Sequence, residues 1–123
     1  MANQWPKFDE LTRVKSVRSV LLEEGSGISE RTGDKIRFAV ESESQSGRGL
    51  THHCYLIVPA VGYRYPLLRV VQEKLDYPVT IVADLYPDGS RAGDEKELRK
   101  ALGLVFRSEP VKKVVPQFLD LVS

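Results

Sequence analysis

Apolar residues recur along the chain with two periods, and the change of period divides it into three parts. Across residues 8–24, Leu11, Val14, Val17 and Leu21 fall every three or four positions, with Phe8 and Leu22 at the margins. Lys15, Ser16, Ser19 and Glu23 lie away from that stripe. This spacing predicts an amphipathic N-terminal helix over 8–24. Pro6 suits its start and Gly25 its stop. The polar stretch Gly25–Asp34 is expected to be a loop, with a short extended piece at Ile28 and a turn at Thr32-Gly33-Asp34.

From Lys35 the period falls to two. In residues 35–43, Ile36, Phe38 and Val40 alternate with Arg37, Ala39 and Glu41, which predicts a strand with one buried face. Ser44–Gly49, with Ser-Gly-Arg-Gly, is the expected hairpin loop. Residues 50–59 form the next strand, with Leu50, His52, Cys54, Leu56 and Val58 on one face. Both of its faces turn apolar after Cys54, so it is expected to be central. Residues 78–85 alternate again through Val79, Ile81, Ala83 and Leu85.

Between these strands, Tyr63–Asp76 fits two templates. As a helix it places Pro66 in the first turn and Leu67, Leu68, Val71 and Leu75 on one arc. As a strand over 64–72 it is a β-rich run that Pro66 would confine to a sheet edge. Periodicity does not separate the two in so short an apolar run. Tyr86–Gly93, containing Pro-Asp-Gly, is expected to be a turn-rich loop.

The period then returns to that of a helix. Asp94 and Glu97 form a capping box ahead of Leu98, Ala101, Leu102, Val105 and Phe106, which predicts a helix over 94–107. Pro110 opens a second over 110–122, with Val111, Val114, Val115, Phe118, Leu119 and Val122 on one face. Pro116 should kink or split it, because proline lacks the backbone donor and crowds the preceding turn. Helices at the ends and strands in the middle indicate a single α+β domain spanning 1–123. The expected architecture is a mostly antiparallel sheet of three to four strands, with the last two helices packed as a hairpin on one face.

Composition narrows the function classes. The 123 residues carry 41% hydrophobic and 28% charged side chains, which are globular values. No apolar run reaches the length of a membrane-spanning helix, and the first residues lack a signal-peptide pattern, so a cytoplasmic protein with no membrane partner is expected. Eighteen basic residues balance seventeen acidic ones, so the global charge pull that nucleic-acid proteins show is missing and a nucleic-acid partner is disfavoured. A single cysteine excludes an internal disulfide and an all-cysteine zinc site.

Three constellations bear on chemistry. His52 and Cys54, two apart on a strand, share a face, so the imidazole is placed to activate the thiol or the pair to ligate zinc with Asp84 or Glu41. The simpler expectation is a histidine at the wet end of a strand beside a buried cysteine, with His53 pointing the other way. Asp84 followed by Asp94-Glu95-Lys96 echoes a metal-dependent nuclease in residue type only, since the second group opens a helix and already has a capping role. No phosphate-binding glycine motif and no Gly-x-Ser-x-Gly occurs. Trp5 suits a hydrophobic staple.

Tyr63, Arg64, Tyr65 and Arg69, with Lys74 nearby, mix aromatic and basic groups. Such a mixture is typical of protein-binding hot spots, and also of single-stranded nucleic-acid platforms. The expectation is therefore a non-enzymatic protein-binding domain of adaptor or toxin-neutralising type, with no cofactor and a homodimer among its possible partners. A metal- or thiol-dependent enzyme built on His52 and Cys54 is the alternative, and single-stranded nucleic-acid binding at Tyr63–Lys74 a second.

Overall fold

A computed structural model describes residues 3–8, 14–45 and 49–123. Its centre is a five-stranded antiparallel meander: β1 (Arg37–Gln45), β2 (Gly49–Val58), β3 (Tyr63–Gln72), β4 (Val79–Ala83) and β5 (Tyr86–Ala92), in that spatial order. Helices α1 (Val17–Gly25) and α2 (Gly27–Arg31) precede the sheet, and α3 (Glu95–Phe106) and α4 (Glu109–Leu121) follow it. This is the α+β class predicted, with one strand more than expected.

The N-terminal helix is shorter than its apolar spacing implied. Ser16 is its N-cap, and its Oγ accepts from the Ser19 N–H at 3.1 Å. A serine in that position satisfies an otherwise orphaned donor, which fixes the start at Val17. Val14, on the predicted stripe, is 89% exposed instead. Residues 9–13 of the predicted helix, Leu11 among them, lie outside the described residues, as do 46–48 of the hairpin loop. Gly25 is buried in the last turn because its missing Cβ admits the ring of Phe38. The piece around Ile28 is a single helical turn, not an extended one. Gly33 and Asp34 both take positive φ, which makes the turn predicted there.

Residues 63–72 are strand, and that strand is not at an edge. Pro66 is accommodated because β4 pairs only with Leu68–Gln72, leaving the first half of β3 with β2 alone. Proline's missing donor is therefore not demanded by a second neighbour. The register shifts at this point: Cys54 opposes Leu68 while Tyr55 opposes Pro66, so Leu67 is extra. One inserted residue reverses which side chains face the core. Tyr63 and Tyr65 point to the same side as Leu68, Val70 and Gln72, because partners across an antiparallel ladder share a face.

The segment expected as a turn-rich loop is β5. Its Pro-Asp-Gly sits where pairing with β4 shifts between Ile81 and Ala83, with Gly89 at φ 93°. The irregularity absorbs the turn-forming residues, while Ala92 opposite Val79 and Tyr86 opposite Ala83 hold the strand.

The inner face of the sheet, with Val40, Cys54, Leu56, Val58, Val70 and Ile81 buried, carries the helices. Leu98 and Leu102 of α3 are fully buried, and α3 packs on α1, β4 and β5. The Asp94 carboxylate accepts from the Glu97 N–H at 2.8 Å, while Glu97 accepts from the Gly93 N–H at 2.7 Å, one residue earlier than a standard box. Arg99 joins α3 to α1, reaching Glu24 and Glu23 at 2.8 Å each and Glu95 at 3.0 Å. The two C-terminal helices do not make the expected hairpin. The neighbour of α3 is α1, whereas α4 is anchored by Phe118 against Tyr63 and Tyr65, each ring pair 5.5 Å apart. Pro116 leaves α4 a single helix, lying exposed at its eighth position. Among the described residues, no helix is long and apolar enough to cross a membrane.

Candidate functional site

His52, Cys54 and Asp84 are not brought into one pocket. His52 and Cys54 do share the inner face, as their spacing predicted. Cys54 is 1% exposed, and burial pushes its thiol up to about 12. A thiolate is the reactive form, and desolvation removes it at neutral pH. Asp84 lies exposed in the turn between β4 and β5. It is close enough to Tyr65 to help raise that phenol, after the larger effect of burial. Glu41 is on the opposite face and is paired with Arg64. Among the described residues, no three histidine, cysteine or acidic side chains gather as a metal site. Asp94 is engaged in its cap.

His52 has partners that its sequence neighbourhood did not announce. Ser42, opposite it on β1, lies 2.7 Å from Nδ1, and Gln72 Oε1 lies 2.6 Å from Nε2. Gln72 Nε2 donates to the Leu75 carbonyl at 2.8 Å. That carbonyl orients the amide, which leaves Oε1 as an acceptor toward His52 and assigns the ring proton to Nε2. Nδ1 meets the Ser42 hydroxyl, completing a chain Ser42–His52–Gln72–Leu75. Any hint in the sequence lay in long-range register: Ser42 is ten residues before His52 and Gln72 twenty after.

The chain of bonds lines a cleft of about 520 Å³. Val14, Leu50, Leu75 and Tyr77 give it apolar walls, and Lys15 and Arg18 stand beside it. The arrangement resembles a serine–histidine relay in composition but differs in its electrostatics. Its third member is an uncharged amide, and His52 is only 2% exposed. The group is therefore best suited to locking β1, β2 and β3 in register.

The aromatic–basic cluster is divided between faces. Tyr63 and Tyr65 lie on the inner side against Phe118, and Tyr63 remains 45% exposed at its margin. Arg64 and Arg69 lie on the outer side, opposite Ile57 and His53. Arg64 stacks over the Tyr55 ring with its guanidinium carbon 4.2 Å from the centroid, and it also pairs with Glu41. Next to this, His53 Nε2 is 2.8 Å from Glu43. Tyr55 and Glu41 thus join the predicted Arg64 and Arg69 on one surface. Alternation placed Glu41 and Tyr55 outward, but Arg64 and Arg69 differ in parity, and only the extra residue Leu67 and the pairing of β1, β2 and β3 bring all four onto one face.

No protein-family model matches the sequence, and no curated protein or solved structure matches it either.

Proposed function

We propose that the chain is a non-enzymatic protein-binding domain, adaptor-like or toxin-neutralising, that receives its partner on the outer face of the sheet. The observation that carries this is the one-sided layering. The helices cover the inner face, while Tyr55, Ile57, Arg64 and Arg69 of the outer face meet solvent. Tyrosine and arginine are the residues that dominate binding energy when a partner desolvates them, and the Tyr55–Arg64 stack presents both in a fixed geometry. Ladder positions of this face carry Arg37, Arg64, Arg69 and Arg91 against Glu41 and Glu43. The excess of arginine favours an acidic partner surface and an association that weakens with salt.

The test is capture from the native host with wild type, Tyr55→Ala and Arg64→Glu in parallel. Both changes sit at solvent-facing positions, so circular dichroism should be unchanged. A stoichiometric protein retained by the wild type and lost by both variants supports the proposal. Retention by both variants, or capture of nuclease-sensitive nucleic acid in place of protein, refutes it.

A further inference from the structure

The two edges of the sheet are built differently. At one end β5 carries Pro87, a positive-φ Gly89 and a register shift, all of which spoil it as a template for another strand. At the other end β1 runs nine residues without proline or glycine, in unbroken register with β2 from Arg37 opposite Ile57 to Gln45 opposite Gly49. No described strand pairs with its outer side. A long, regular edge with no described strand beside it presents a row of backbone donors and acceptors that another strand can meet.

We propose that β1 pairs antiparallel with β1 of a second copy, about a two-fold axis at Val40, joining two five-stranded sheets into one of ten. Side chains select this register. Residues opposite one another must share a face, so the core-facing Phe38, Val40 and Ser42 can only oppose one another. An axis at Glu41 would set Glu41 against its own copy, a like-charge contact. An axis at Ala39 would oppose Arg37 to Glu41 and would use only residues 37–41. The axis at Val40 opposes Arg37 to Glu43 twice, once at each end, and uses residues 37–43. Glu43 accepts from His53 and has a further partner, as Glu41 has Arg64, so the longer ladder selects the axis at Val40. The interface is isologous, so each copy contributes the same strand. It engages Arg37 and Glu43 at the margin of the outer face and leaves the Tyr55–Arg64 stack of the partner surface proposed above intact.

Sedimentation equilibrium at low ionic strength tests the proposal. The wild type is expected to be a dimer. Arg37→Glu and Glu43→Arg each place two like-charge contacts in the interface and should weaken it on the order of a hundredfold. An equimolar mixture of the two variants should regenerate a dimer, because each then supplies the charge that the other lacks. Circular dichroism confirms that both variants fold, as expected at exposed positions. If either misfolds, Arg37→Ala and Glu43→Gln, which only remove charge, take their place, and each should still weaken the dimer. A wild type that stays monomeric at every accessible concentration overturns the proposal. So does a dimer that both single variants preserve, or a mixture of charge-reversed variants that stays monomeric.

Discussion

Replacing His52 and Gln72 by leucine, singly and together, tests whether the buried polar chain acts as one unit. Each residue is 2% exposed, and their mutual bond is 2.6 Å. His52→Leu removes that bond and strands the Gln72 oxygen; Gln72→Leu strands the His52 ring N–H. Losing the bond costs about 0.5–1.5 kcal/mol and orphaning a buried partner about 1–3 kcal/mol, so each single variant should lose about 2–4 kcal/mol. The double variant leaves neither group orphaned, and two leucines fill similar space in an apolar surround. Its cost should be about 1–2 kcal/mol, less than either single change, since replacing both partners approaches neutrality. Ser42 and the Leu75 carbonyl, at the exposed ends of the chain, can turn to water. Urea titration followed by circular dichroism measures the cycle, with unchanged m-values as the control. A double variant whose loss equals the sum of the singles within about 0.5 kcal/mol would refute the reasoning, because independent sites add to that precision.

Two further outcomes follow from the electrostatics. Cys54 should resist iodoacetamide in the native state and react fully in urea. Its raised folded pKa means that the fold favours the neutral thiol, so that contribution is complete below the unfolded thiol pKa and is lost as pH rises through about 12. Cys54→Ala should therefore flatten the alkaline limb of a stability–pH curve, and an unchanged limb would contradict the burial argument. Arg99→Ala should lower the melting temperature at low salt, with the difference shrinking at high salt, because the Arg99 contacts are partly exposed and screened. Arg99, then Lys15, holds Glu23 below its ordinary pKa, so the stabilisation is present above the unfolded pKa and lost as pH falls through the folded value. The wild-type advantage should narrow on acidification; a difference indifferent to both salt and pH would count against the Arg99 junction.

How much of this was legible in the sequence differs by element. β1, β2 and β4 showed period two because each keeps one face to the core without interruption through its apolar stretch. β3 did not, because Leu67 is inserted between Pro66 and Leu68, and parity changes within the strand. A run with apolar residues on both parities resembles one arc of a helix, which is why Tyr63–Asp76 fitted both templates. β5 lacks apolar alternation altogether, and the open edge of β4 recruits it despite Pro-Asp-Gly. α1 was read too long because Val14 has the right spacing for a stripe; the Ser16 cap, three residues before Ser19, was the local signal that outweighed it. At the candidate site, alternation correctly separated His52 from His53. The partners of His52 depend on pairing across three strands, which no local pattern encodes.

The Arg99 junction has a bearing on how the chain comes to be made. It binds a helix emerging from the ribosome near residue 20 to one that emerges about 75 positions later. Until that late helix is out, Val70, Val79 and Ile81 have no leucines from α3 to shelter them. The nascent meander must therefore wait with a greasy side exposed, and a transcript broken after Ala92 would yield a product suited to chaperone capture or precipitation. The emergence of α3, more than the forming of any hairpin, is the step on which native folding waits.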